Sequence, residues 1–318
     1  MLFRPDVSVV LVSFNTRDLL RECRQAVFTG SDVSLEVFVV DNASSDGSAE
    51  MVRAEFPEVT VIANEVNLGF AAANNRALER ASGRYAVLLN PDALLRPGDL
   101  ERAVSKMEAT PSAGLAGARL VGRDGSWQPS ARQFPSLTND VLALSGLSAK
   151  FGRSRFFGRA DRTWANPEEP APVDWVPGAF SIIRSEVLKT VGCFDERFFL
   201  YYEEVDLCRR IVEAGWQVWY WPELVVVHIG GGSQLALWRM RSALLYYRKH
   251  HPQQAWLAMR AESLWHRLRW FRNRFLKGAD ARAKAGESLA IVRLYRQAWK
   301  ETRGGRVCPA RVVPRALA

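Results

Sequence analysis

The chain has little of what defines several protein classes. Its four cysteines, Cys23, Cys193, Cys208 and Cys308, include no CxxC pair and no spacing of a disulfide framework, so a reducing cytosolic compartment is expected. No run of about 18 uncharged apolar residues occurs, so no transmembrane helix is expected. The opening residues do not read as a signal peptide, because Arg4 and Asp6 interrupt a start that runs straight into a strand pattern. GxGxxG and P-loop sequences are absent, which leaves a dinucleotide or an ATP γ-phosphate site without support. No internal repeat is visible. Acidic residues are scarce only at one end. Residues 235–318 hold 19 Lys and Arg against 4 Asp and Glu, a net +15, while residues 1–234 are net −6. A mildly acidic body joined to a strongly basic tail requires a separate account of the tail.

What is present reads as alternating strands and helices. Val7–Ser13 is almost continuously apolar and β-branched, the pattern of a strand buried on both faces. Helical spacing follows at 16–27, a strand at 35–40, a short helix at 48–56, a strand at 59–63, an Ala-rich helix at 69–81 and a strand at 85–89. This alternation predicts βαβ units and a mostly parallel sheet flanked by helices, an α/β fold. A helix is expected at 97–108, long loops with little regular structure at 122–172, and a strand at 173–184. Helices are expected at 185–191 and 203–214, then two apolar runs at 216–221 and 224–229, and a flexible glycine run at 230–232. The organisation expected is a catalytic domain over 1–234 and a basic, Trp- and Arg-rich helical extension over 235–318.

Polar residues stand where the strands stop: Asn15, Asp41, Asn42, Asn67, Asn90 and Asp92. Ligands of open α/β sheets bind outside the carboxyl ends of strands. In Asn90-Pro91-Asp92, Asp92 offers a hard cation one carboxylate; a plain turn is the competing reading. Asp41 can accept hydrogen bonds from a base or ribose, or Asp41 to Ser48 is a polar loop with a helix cap. Asn67-Leu68-Gly69 and the alanines after it permit close approach of a ligand or of another backbone. Glu203, Glu204 and Asp206 fall in one helical first turn, where acids are favoured by the helix dipole. Adjacent carboxylates among aromatic residues also raise one another's pKa, which suits a general base. His228, ending a strand, is a metal ligand or a structural histidine.

In order along the chain, VVLVSFN, VDNASSDGS, NLGFAAANN, LLNPDALL, DWVPGAFSIIR, GCFDERFFLYYEEVDLCRR and VVHIGGGS closely resemble a glycosyltransferase family 2 enzyme of the rhamnosyltransferase-like branch, over roughly residues 6–234. The resemblance implies a GT-A fold and inverting transfer of a sugar, rhamnose from dTDP-rhamnose by likeness, from a nucleoside diphosphate to a hydroxyl of a saccharide or polyprenyl-linked acceptor. By position it implies that Ser13, Asn15, Asp41, Asn42, Asn67, Gly69, Asn90 and Asp92 bind the donor. Trp175 and Gly178 match the acceptor side. Asp92 and His228 match ligands of a divalent metal, Mg²⁺ or Mn²⁺, and Glu204, with Glu203 as alternative, matches the base. Two positions depart from the family pattern. Asn90 replaces the first acid of an Asp-x-Asp element, and Glu204 replaces an aspartate.

In the tail, LWHRLRWFRNRFLK sets Leu264, Leu268, Phe271 and Phe275 at helical spacing, with Arg267, Arg269, Arg272 and Arg274 elsewhere. A basic amphipathic helix with Trp reads as binding an anionic membrane surface, which implies a cytoplasmic protein peripheral to the inner face of the cell membrane. Packing of the tail on the body is the other reading. A nucleic-acid-binding role rests on the tail alone and lacks any motif, so no nucleic acid partner is expected. A sugar-nucleotide-binding module without catalysis remains the second alternative.

Overall fold

Each residue of Val7–Ser13 is buried, as a β-branched run must be when both faces of its sheet are covered. In the computed structural model, which describes residues 4–29, 32–230, 236–276 and 279–303, this strand is β1. There follow α1 (Arg17–Phe28), β2 (Leu35–Asp41), α2 (Ser48–Glu55), β3 (Thr60–Ala63), α3 (Phe70–Leu78), β4 (Tyr85–Leu89), β5 (Ala93–Leu94), α4 (Asp99–Ala109) and β6 (Ala113–Val121). Next come β7 (Trp127–Gln128), α5 (Leu137–Leu144), α6 (Leu147–Lys150), β8 (Ala171–Val173), β9 (Phe180–Arg184), α7 (Ser185–Val191), α8 (Glu203–Glu213) and β10 (Gln217–His228). The tail forms α9 (Ala236–His250), α10 (Ala255–Arg274) and α11 (Ala279–Glu301).

One sheet runs β3-β2-β1-β4-β9-β6-β10-β5, with β7 on β6 and β8 on β10. The α/β class and flanking helices are as expected. The parallel character is confined to β3-β2-β1-β4 and to the β6–β10 pair; β9 lies antiparallel between β4 and β6. The register pairs Ser13 with Asp41 and Leu11 with Leu89. The carboxyl ends of β1, β2 and β4 therefore lie in a row, and every loop that leaves them opens on one edge. One core lies between the sheet and α1, α2 and α4. A second lies on the opposite face under α3, α7 and α8.

Three elements differ from expectation. β6 sits in the middle of the sheet although Ala113-Gly-Leu-Ala-Gly-Ala-Arg carries no β-branched residue. Its small residues match large neighbours: a Cβ on Gly117 would lie 2.6 Å from Val176, and one on Gly114 2.8 Å from Trp216. The strand expected over 173–184 is two strands separated by a loop at 174–179. The runs at 216–221 and 224–229 are one strand, β10, whose register shifts between Trp221 and Val225, where Pro222 removes a ladder donor. Within 122–172, α5 and α6 are regular, and Ser136 Oγ caps α5 by accepting from Asn139 N at 3.2 Å. Gly231, Gly232, Cys308 and the expected boundary after residue 234 lie outside the described residues.

Helix α9 is packed on the body. Leu245 and Tyr246 join Phe198 and Val205 in a buried cluster, Trp238 stacks on Phe199 at 4.2 Å, and Ser242 Oγ donates to Leu200 O at 2.8 Å. The tail thus holds the segment that leads into α8.

Candidate active site

The two-residue strand β5 pairs antiparallel with the end of β10, setting His228 opposite Ala93, and Ile229 N donates to Asp92 O at 2.9 Å. This ladder brings His228 Nε2 to 3.5 Å from Asp92 Oδ2. The opposite side of the imidazole is fixed by Gln128, presented by β7. Gln128 Nε2 donates to His228 O at 2.9 Å, so its Oε1 faces the ring and accepts from Nδ1 at 2.8 Å. With the proton committed to Nδ1, Nε2 turns a lone pair toward a carboxylate oxygen. Two electron-rich atoms at that separation require positive charge between them, a second ring proton or a cation. The nearby Asn90 Oδ1 is screened from solvent and has no hydrogen-bond partner. Among the described residues no three His, Cys, Asp or Glu side chains gather as a metal site. Any cation here would therefore depend on substrate oxygens as well, as hard divalent cations often do.

The other expected donor residues divide into free and occupied groups. Asn42 is buried and fully used: its Nδ2 donates to Asn67 Oδ1 at 2.8 Å and Gly69 O at 3.2 Å, and its Oδ1 accepts from Leu68 N and Asn64 Nδ2. Asn67 Oδ1 also accepts from Gly69 N at 2.9 Å. These two amides knit the loop after β3 to the end of β2. Asn15 has φ +54°, and its Oδ1 accepts from Ser45 N at 2.8 Å. Ser13 Oγ lies 2.9 Å from Thr16 Oγ1. Asp41 Oδ2 accepts from Ser44 N at 3.1 Å, while its Oδ1 is buried without a partner, an acceptor left for a ligand. Gly69 is required by backbone rather than ligand contact. Its φ is +82°, and a Cβ would lie 2.3 Å from Phe199 O.

That contact ties α3 to the turn before α8. Tyr201 and Tyr202 both adopt left-handed φ, 68° and 69°, a strained pair of the kind held at functional sites. They launch Glu203 and Glu204 at the helix N-terminus. Glu203 is buried and Glu204 half-buried; each has one oxygen out of contact with solvent and without a partner. Burial pushes the Glu203 carboxyl well above the usual carboxylate range, and the charge of Glu204 pushes it further. Burial also raises Glu204, opposed by backbone N–H groups and by the Arg132 guanidinium. Asp206, one turn on, is fully buried and does different work. It pairs with Lys249 at 2.6 Å, His250 Nε2 at 2.7 Å and Arg210 Nε at 2.9 Å, two of them from α9.

The loop at 174–179 links the two ends of the site. At one end Trp175 packs beside Phe198, Val205 and Tyr246, its Nε1 donating to Gln133 O at 2.8 Å. At the other, Ala179 O accepts from Asn90 N at 3.0 Å. A Cβ on Gly178 would meet only the Phe70 ring, at 3.8 Å. Asp92 and His228 are thus brought into contact with each other, and Trp175 packs on the cluster that contains Val205, the residue after the acid pair. No direct contact joins Asp92 to Glu204 among the described residues. Sequence reasoning missed Gln128, Arg132, Lys249 and His250. None has local spacing that marks it, since each acts on a partner remote in the chain.

A model of the Glycosyl transferase family 2 matches residues 8–191. An N-acetylglucosaminyl-diphospho-decaprenol L-rhamnosyltransferase of Mycobacterium tuberculosis is 30% identical over 236 residues, covering 69% of this chain and 75% of that protein. The rhamnosyltransferase WbbL of Escherichia coli is 23% identical over 258 residues, 76% of this chain and 92% of that one. Among solved structures, the mannosyltransferase PcManGT of Pyrobaculum calidifontis, in complex with GDP-Man and Mn²⁺, superposes with a TM-score of 0.54. It covers 96% of this chain and 85% of that one at 22% identity, a likeness of fold. The match spans more than half of the chain and includes the ends of β1, β2 and β4, from which the candidate donor site is built, so this chain belongs to glycosyl transferase family 2.

Proposed function

We propose that this glycosyltransferase moves a sugar, rhamnose in the reading we favour, from a nucleoside diphosphate to a hydroxyl of a saccharide or polyprenyl-linked acceptor, with inversion. The catalytic unit is residues 1–234, and 235–318 is a basic helical extension whose helix α9 docks on it. The observation that carries the reading is the Asp92–His228 pair, whose facing lone pairs suit a divalent cation, with Gln128 holding the imidazole in the ligating tautomer. Asp92 and His228 would hold Mg²⁺ or Mn²⁺ together with the donor, and the cation would supply positive charge for the departing nucleotide. The free Asp41 Oδ1 accepts from the nucleoside, and Ser13, Asn15, Asn42, Asn67 and Gly69 shape the loops around it. Glu204 takes the proton of the acceptor hydroxyl, being the more accessible of the two acids. Trp175 and Gly178 border the acceptor.

The test is a thermal-shift screen of nucleotide sugars with and without Mn²⁺, since a ligand selective for the native state raises apparent stability. We expect one donor to stabilise the protein only when Mn²⁺ is present, and Asp92→Ala to abolish the Mn²⁺-dependent part. An equal shift without metal, or in the variant, removes Asp92 from cation binding.

The reading extends to a membrane surface. Leu264, Leu268 and Phe271 of α10, with Phe275 at its C-cap, are 56–66% exposed and lie on one helical face. Such stripes are rare on soluble monomers unless they meet a partner. Arg267 and Arg272 beside them have no ion pair among the described residues. The stripe and the +15 charge of the tail fit anionic lipid and support a peripheral position at the inner face of the cell membrane. No described helix is long and apolar enough to cross a membrane. Vesicles rich in phosphatidylglycerol are expected to sediment the protein, weakly in 1 M salt. Leu268→Glu with Phe271→Glu is expected to reduce that binding at least tenfold; unchanged sedimentation refutes the surface.

A further inference from the structure

A cavity of about 420 Å³ lies beside the candidate active site and plays no part in it so far. Its wall comes from the loop segments around 153–171, with Trp127, Ala131 and Tyr220. Three arginines line it: Arg153, Arg155 and Arg162. Arg153 makes no hydrogen bond or ion pair among the described residues. Arg155 has only the face of Trp164, 4.7 Å away. Arg162 holds a left-handed backbone, φ +49°, and donates through Nη1 to Pro172 O at 3.4 Å. Two buried donors on this wall, Arg162 Nε and Trp164 Nε1, have no acceptor at all. Native proteins satisfy nearly all buried donors, so two orphans on one wall indicate a missing acceptor. Burial depresses the Arg162 pKa, and the charge of Asp174 offsets that only in part.

The acids on the wall do not fill that role. Asp161 is paired with Arg132 Nη1 at 3.3 Å. Glu169 Oε1 accepts from Asn166 Nδ2 at 3.1 Å. The same contacts place the cavity against the active site. Asp161 holds the arginine whose charge acts on Glu204, and Ala131 precedes that arginine. Trp127 precedes Gln128, which orients His228.

We infer that this arginine–tryptophan cavity binds an oxyanion carried by the acceptor, and so selects acceptors bearing negative charge next to the sugar that is glycosylated. Guanidinium groups recognise phosphate and carboxylate through paired N–H donors; the orphan Arg162 Nε adds a charged donor and the orphan Trp164 Nε1 a neutral one. Two sources offer that chemistry, a sugar–diphosphate linkage or an acidic sugar. The inference rests on the glycosyltransferase reading for the word acceptor, but the anion site does not depend on it.

Binding is tested first without catalysis. Inorganic pyrophosphate is titrated by calorimetry into the full chain carrying Asp92→Ala, with no divalent metal. Saturable binding is expected, weakened at least tenfold by Arg153→Gln with Arg155→Gln, two exposed positions at which loss of charge leaves the core intact. Circular dichroism confirms that the variant is folded. Absence of binding, or equal binding by the variant, overturns the site. Turnover is then compared for one acceptor sugar in three forms: on a farnesyl diphosphate, on a neutral alkyl chain, and joined to a uronic acid. The double variant is expected to raise KM at least tenfold for one anionic form, which identifies the source, and to leave KM for the neutral form within twofold. Equal KM changes for all three overturn the selectivity. Failure of every acceptor and of donor hydrolysis, with pyrophosphate binding intact, counts against the glycosyltransferase reading and leaves the anion site standing.

Discussion

Glu204→Gln is expected to lower kcat by about 10²–10⁴-fold, the usual contribution of a positioned general base, with little change in KM for the donor. Gln keeps the shape and the hydrogen-bonding reach of the side chain and loses only the capacity to take a proton. The environment of this residue adds a second, sharper expectation. Burial raises its pKa, so the carboxylate needed for catalysis is populated only above the ordinary carboxylate range of about 4.3. Activity therefore rises with pH along a limb displaced upward from that range. Arg132 opposes the displacement, so Arg132→Met moves the limb to still higher pH. The assay is the pH profile of kcat for wild type and both variants. Turnover of Glu204→Gln within twofold of wild type removes it from the reaction. If Glu203→Gln alone collapses kcat, the roles of the pair exchange.

Asp206→Asn destabilises the protein by about 3–5 kcal/mol, the range for breaking a buried ion pair by removing one partner. Asp206 is fully buried and compensates Lys249, His250 and Arg210 together. Its removal takes a carboxylate from Lys249 and Arg210, and the acceptor from His250 Nε2, at the junction of α8 and α9. The sign of the pH dependence follows from the same contacts. Burial alone would raise the Asp206 pKa, but hydrogen bonds from His250 and Lys249 outweigh it and the net shift is downward. A depressed carboxylate contributes stability above its unfolded pKa, near 3.9, and loses it as pH falls through the folded value. Wild type should lose stability on acidification more steeply than Asp206→Asn. Glu203 acts in the opposite sense. Its raised pKa means that it resides neutral in the fold at low pH and penalises the fold as rising pH ionises it. Urea unfolding at several pH values reads both effects; a midpoint in the Asn variant equal to wild type at neutral pH discards the first.

Local pattern alone carried β1, β2, β4, α7 and the start of α8, because each is a short segment whose apolar period settles its conformation without help. The positions of Asp41, Asn90 and Asp92 at strand ends were legible for the same reason. β6 was not, since alanine and glycine become strand residues only where Val176 and Trp216 need their small volume. Nor did the sequence distinguish Asn42, whose amide is consumed by loop contacts, from Asp41, whose Oδ1 is left free. Local composition predicted a long apolar face and excess charge on the tail. Docking of α9 through Asp206 and Tyr246 was decided by side chains some 40 residues apart, counted between the paired positions 206 and 250.

The amino-acid order by itself determined the α/β class, the row of polar strand ends and the family motifs, all of which depend on neighbours within a few residues. Tertiary structure alone decided that Gln128 orients His228 toward Asp92, that Asp206 binds the tail while Glu204 stays reachable, and that three arginines share a wall with two orphan donors. Each depends on a distance between residues far apart in the chain, and such distances exist only once the sheet has folded.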